Sequence, residues 1–113
     1  MVRRGEIWTA AGGGDYADKP RPVVILQGNQ FDGTESVTVC GLTTDLQPIG
    51  LFRVGIEPND RNHLAERSYA MLDKIYTVRR RRLGYRLGEL DRDDIRQIER
   101  AIVLFLAIAA DGL

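Results

Sequence analysis

Arg21 stands between Pro20 and Pro22 in the stretch DKPRPVVIL, at the head of the apolar run Val23–Leu26. Each proline fixes its own φ and drives the residue before it toward extended geometry, so Arg21 enters a strand with little backbone freedom left. Two readings follow: an exposed charge at a strand-entry turn, or a guanidinium preorganised to meet an anion. Thr43 and Thr44, in GLTTD, add hydroxyls that can donate to a phosphoryl oxygen or simply satisfy a turn at a strand end. The single histidine, His63, lies in the polar loop DRNHLAE, where a lone imidazole reads as solvated. No His, Cys and carboxylate cluster has metal-ligand spacing, so neither a metal nor another cofactor is expected.

Positioning these groups requires a scaffold, and its size is bounded. The chain has 113 residues, 43% of them hydrophobic, which suits one domain over 1–113 with one core. Its net charge is zero, so the overall balance shows neither a strongly basic nucleic-acid module nor an acidic tail. The distribution says more. Between Ile75 and Leu90, Arg79, Arg80, Arg81, Arg82 and Arg86 meet only Glu89, whereas the last segment carries Asp91, Asp93, Asp94, Glu99 and Asp111. The RRRR tract reads as a solvated turn or as a rim that tracks phosphates, with Trp8, Tyr16 and Tyr76 as stacking surfaces. Cys40, the one cysteine, excludes an internal disulfide framework, sits where a small buried apolar residue would serve, and is compatible with the cytoplasm. The longest apolar run, AIVLFLAIAA, is about half of the roughly 20 residues that span a bilayer, and no signal stretch opens the chain. Membrane insertion is not expected.

Strand signals come first and a helix comes last. GEIWTA is a short strand, followed by the loop AGGGDYADKP. RPVVILQ and SVTVCGLT are the clearest strands, joined across GNQFDGTE as a wide hairpin. LFRVGIEP and YAMLDKIYTV continue the pattern around the loop NDRNHLAERS, and LGYRLGEL, with two glycines, reads as a bent or edge strand. Asp91 is placed to cap a final helix, with Leu90 and Ile95 as a hydrophobic staple and acidic residues suiting the dipole. Ile95, Ile98, Ile102 and Phe105 share one face, so the helix closes over the sheet. The expected fold is a small α+β domain, a twisted, partly closed antiparallel β-barrel with a C-terminal helix.

The ordered set RRGEIW, GDYADKPRPVVILQ, FDGTESVTVCGLTTD, GLFRVGIEPNDRNHL and SYAMLDKIYTVRRRRLGYRLGEL, followed by a capped apolar helix, resembles the MazF/PemK family of toxins from toxin-antitoxin systems. The resemblance covers nearly the whole chain. It implies an SH3-like barrel of the MazF/PemK/CcdB-like kind, a homodimer, and a sequence-specific endoribonuclease acting on single-stranded RNA, be it mRNA, tRNA or rRNA. It places Arg21 beside the scissile phosphate and makes Thr43 the second active-site residue. The substrate's own 2'-hydroxyl attacks phosphorus, so the protein must supply fixed donors for the charge that builds on the phosphoryl oxygens.

The general base is less direct. Many members carry a glutamate five residues before the arginine, and Tyr16 occupies that position here. A tyrosine with pKa near 10 is a poor base, which makes Asp15 the candidate and leaves Tyr16 to stack on a base. Asp73 matches an aspartate that does chemistry in PemK-like members, but Met71 stands where its arginine would be, so that dyad is not carried over intact. The RNA-binding set comprises Tyr16, Lys19, Thr44, Asp73, Tyr76, Arg80 and Arg82. The apolar LFLAIAA end suits a homodimer contact or the core. A MazE-like antitoxin with a flexible acidic segment is the implied partner, with the arginine-rich stretch as its electrostatic target. Two alternatives stay open: a CcdB-like gyrase inhibitor and a noncatalytic RNA-binding barrel.

Overall fold

Six strands and one helix follow the chain in order: β1 (Glu6–Ala10), β2 (Arg21–Ile25), β3 (Ser36–Thr43), β4 (Arg53–Ile56), β5 (Ser68–Arg79), β6 (Leu83–Glu89) and α1 (Arg92–Phe105). The structure is a computed structural model and describes residues 1–11, 19–45 and 52–108. All strand pairs are antiparallel, in the order β4-β5-β3-β2-β1-β6. The expected α+β architecture is therefore present, with LGYRLGEL on one edge of the sheet.

The apolar run of β2 is explained by burial on both faces. Val24 joins Ile7, Cys40, Leu42, Ile56 and Leu72 in a cluster that also receives Ile98 and Ala101 of α1. Val23 and Ile25 point the other way, into a second cluster with Ala10, Val37, Val39 and Val78. Ile95 and Ile102 pack partly buried on the first cluster, as their helical spacing predicts. Phe105 is 43% exposed, yet its ring still meets Phe52 with centroids 5.1 Å apart. Burial pushes the Cys40 thiol up to about 12, so it remains protonated and inert.

The sheet has two edges, and the loop after β4 crosses from one toward the other. The Arg61 carbonyl accepts from the Glu89 amide at 3.0 Å, and His63 Nδ1 meets the Leu87 carbonyl at 2.7 Å. The sheet is therefore open, without the strand pair that would close a barrel, and loop backbone covers its β6 edge. Asn62, fully buried, braces the crossing: its Oδ1 accepts from the Asn59 and Leu64 amides, each at 3.0 Å, and its Nδ2 donates to the Glu57 carbonyl at 2.8 Å. The approach requires glycine at 88, where a Cβ would lie 2.5 Å from the Arg61 carbonyl oxygen. His63 is exposed, but its bond to Leu87 and its φ of 55° make it part of this crossing.

One local expectation is corrected. Asp91 does hold the N-cap position of α1, but its side chain makes no capping bond. Its Oδ2 instead accepts from Asn59 Nδ2 at 3.1 Å, tying the helix start to the crossing loop.

Candidate active site

Antiparallel pairing brings the two leading candidates together. β2 and β3 pair Val23 with Gly41, Val24 with Cys40 and Ile25 with Val39. The ladder ends at Val23 and Gly41, and Arg21 and Thr43 lie two residues beyond it, in one row at the same end of the two strands. The first residue of β2 and the last of β3 thus stand at the same end of neighbouring strands, although 22 positions separate them in sequence.

Other elements extend that row. Ala10 pairs with both Arg21 and Leu83, and Thr43 pairs with Tyr69, which pairs with Gly55. Arg21 is exposed and Thr43, Tyr69, Gly55 and Leu83 are half-buried, so this end of the sheet reaches solvent. Thr43 Oγ1 accepts from the Asp45 amide at 3.1 Å, which leaves the hydroxyl hydrogen to be donated elsewhere. The turn role and the donor role are therefore compatible. Lys19 and Thr44 flank the pair and are exposed.

One row further in, Met71 pairs with Arg53, and a Cβ on Gly41 would lie 2.8 Å from the Met71 methyl carbon. Arg53 forms two parallel bonds to Asp73, Nε to Oδ1 and Nη2 to Oδ2, both at 3.1 Å. The guanidinium absent from position 71 is thus supplied to Asp73 by the strand that pairs with position 71. Burial alone would raise the Asp73 pKa, but the Arg53 hydrogen bonds and charge outweigh it and hold the carboxyl below its ordinary value of 3.8. With both oxygens engaged, Asp73 is placed as a brace between β4 and β5.

The arginine tract divides by environment. Arg80 is turned into the fold: Nη1 lies 2.9 Å from Asp32, Nε donates to the Thr34 carbonyl at 2.9 Å, and its amide donates to the Glu35 carbonyl at 2.8 Å. Burial works to raise the Asp32 pKa, but the Val2 backbone and Arg80 together hold it below the usual carboxylate range. Arg79, Arg81 and Arg82 are exposed. The Arg82 carbonyl accepts from the Ala11 amide at 3.1 Å, next to the cross-strand partner of Arg21, so Arg82 stands about two strand spacings, ~10 Å, from the Arg21 backbone. Tyr76 packs partly buried against the second cluster, as does Trp8, whose indole donates to Glu6 at 3.1 Å.

Asp15 and Tyr16 lie outside the described residues. Among the described residues, no group of three or more His, Cys, Asp and Glu side chains is placed to hold a metal ion. Arg53, Arg67 and Tyr69 share the face of Thr43 and were not singled out from sequence. The alternation in YAMLDKIYTV marks Tyr69 as facing away from Ala70, but only the register shows that this direction leads to Thr43.

Known proteins resemble the chain in sequence and in fold. The family described as PemK-like, MazF-like toxin of type II toxin-antitoxin system matches residues 3–106. A protein of Mycolicibacterium smegmatis named probable endoribonuclease MazF is 45% identical over 108 residues, covering 96% of this chain and 99% of its own. A mycobacterial endoribonuclease solved in complex with its cognate antitoxin is 25% identical with a TM-score of 0.81, over 96% of this chain and 98% of that one. The MazE-MazF structure from Deinococcus radiodurans shares the fold at 19% identity and a TM-score of 0.75, over 96% of this chain and 98% of that one.

Proposed function

The chain belongs to the PemK-like, MazF-like toxins of type II toxin-antitoxin systems, and we propose that it cleaves single-stranded RNA at Arg21 and Thr43 without a metal ion. Family membership makes it a toxin endoribonuclease, and the gyrase-binding and noncatalytic alternatives give way to that reading. The observation that supports the site is that Arg21 opens β2 and Thr43 closes β3 at the same end of two paired strands.

The chemistry follows from two donors on a fixed sheet end. The 2'-oxygen of one nucleotide attacks the adjacent phosphorus, forming the new O–P bond as the bond to the 5'-oxygen breaks. The products are a 2',3'-cyclic phosphate and a 5'-hydroxyl. Arg21 places a permanent charge and planar donors against the phosphoryl oxygens, and Thr43 donates a further hydrogen bond. The nucleophile's proton must leave and the departing oxygen must gain one; Asp15 is the candidate base. Lys19, Thr44 and Arg82 flank the scissile phosphate and hold the RNA backbone. Arg80 and Asp73 support the scaffold beside them.

Two partners complete the reading. Leu104, Phe105, Leu106 and Ile108 are exposed by 61, 43, 53 and 43% at the end of α1, an apolar end suited to a second copy of the chain. An antitoxin with a flexible acidic segment binds the exposed arginines and competes with RNA. The setting is the cytoplasm; no helix among the described residues is long and apolar enough to cross a membrane.

The test is incubation of the purified chain with single-stranded RNA in EDTA, followed by analysis of the product ends. Cleavage leaving cyclic phosphate and 5'-hydroxyl ends supports the proposal. Cleavage that EDTA abolishes and Mg²⁺ restores overturns it.

A further inference from the structure

The sheet-end row that holds Thr43, with Arg21 at the same end of β2, continues past Thr43. Its next member is Tyr69, half-buried and one strand away, and beyond it is Gly55. Gly55 leaves room that a neighbouring arginine uses: a Cβ there would lie 2.7 Å from Arg67 Nη2. The Arg67 guanidinium consequently lies across β4, 5.5 Å from the centroid of the Tyr69 ring, and its Nη1 is 2.6 Å from Glu57 Oε1. Arg67 and Glu57 side chains are 57% and 68% exposed, so this assembly is at the surface and not in the core. A surface ion pair of this kind adds little stability. What it does is fix a guanidinium against an aromatic ring beside Thr43.

We propose that Tyr69, backed by Arg67, is a stacking site for an unpaired RNA base next to the cleaved phosphate. The inference rests on the assignment of Arg21 and Thr43 to the scissile phosphate, because the row acquires its direction from them. Single-stranded nucleic acid is held by a combination of backbone cations and aromatic faces on which bases stack. The described part of the row supplies both in order: a guanidinium at Arg21, a hydroxyl at Thr43, an aromatic ring at Tyr69 and a second guanidinium at Arg67. Tyr69 lies about one strand spacing from Thr43, roughly 5 Å across the sheet. Stacked between the nucleobase and Arg67, the ring serves binding and base choice, while charge stabilisation at phosphorus stays with Arg21 and Thr43.

The first measurement uses the unaltered sequence. An RNA oligonucleotide carrying the cleavage sequence mapped for this chain, with 2'-fluoro in place of every 2'-hydroxyl, cannot undergo the internal attack. Adding it should shift the ring resonances of Tyr69 in the NMR spectrum; unchanged resonances at saturation overturn the proposal. Variants supply the second measurement. Tyr69→Ala and Tyr69→Leu should each weaken anisotropy-measured binding of that oligonucleotide on the order of 10-fold or more, while Tyr69→Phe stays within about 2-fold. Tyr69→Leu retains apolar bulk, so it decides the matter should the alanine variant unfold. A folded Tyr69→Leu that binds like the parent also overturns the proposal. Arg21→Ala separates the two claims: its cleavage at the parent rate would reject the active-site assignment, whereas the Tyr69 shifts report base binding independently of cleavage.

Discussion

At the scale of single residues, the proposed catalysis rests on two donors, Arg21 and Thr43, at the same end of β2 and β3. Removing one such donor costs on the order of 100-fold in rate, so Arg21→Ala and Thr43→Val should each lower single-turnover cleavage by about that factor or more. Neither side chain is buried in the core, and the variants should unfold at the parent's denaturant midpoint. Parent-like rates would reject the assignment. Asp73 makes a different prediction because it is braced by Arg53. Its folded pKa lies below the ordinary 3.8, so its stabilisation is full above that value and is lost as the pH falls through the lower folded value. Asp73→Asn should cost about 1–3 kcal/mol near neutral pH, measured by urea unfolding, with the gap to the parent narrowing in acid. A gap independent of pH would show that the ion pair is not its source. Arg21 was legible in sequence because its flanking prolines announce a constrained entry. Arg53 was not, since its partner lies 20 positions away and only strand pairing joins them.

At the scale of elements, two glycines separate close packing against backbone from close packing against a movable side chain. A Cβ at Gly88 meets the Arg61 and Asn62 carbonyl oxygens, which belong to the loop that crosses to β6 and cannot easily yield. Gly88→Ala should therefore cost about 1–3 kcal/mol. At Gly55 the obstructing atoms are the far end of Arg67, and Gly55→Ala should leave the denaturant midpoint near the parent's. Equal losses in the two variants would contradict this account of the loop crossing. The strands and helix were readable from period, punctuation and apolar runs, and of the two readings that its glycines allowed for β6, bent or edge, the sheet order shows the edge. Asp91 shows where local reading ends: its type suits a cap, yet Asn59, 32 positions earlier, takes its side chain. In the arginine tract, likewise, nothing local distinguishes Arg80, which meets Asp32 and Thr34 from a distant loop, from its exposed neighbours.

At the scale of the molecule, the proposed second copy and acidic antitoxin segment would extend the proposed site at the sheet end of one small domain. Sedimentation at micromolar concentration should give a dimer, and a monomer would reject the use of the apolar α1 end as a contact. For the antitoxin, Arg82→Glu should slow association and weaken its dependence on salt. Arg82 is the informative position, since reversing Arg80 would also break its contact with Asp32. Unchanged kinetics would remove Arg82 from the interface. The central claim, cleavage through the substrate's own 2'-hydroxyl under stabilisation by Arg21, is tested most directly by single-turnover cleavage of single-stranded RNA in EDTA by the parent and Arg21→Ala, with the product ends identified. The expected result is 2',3'-cyclic phosphate and 5'-hydroxyl ends from the parent and a rate lower by about 100-fold or more from the variant. Equal rates, or cleavage that stops in EDTA and returns with Mg²⁺, would contradict it.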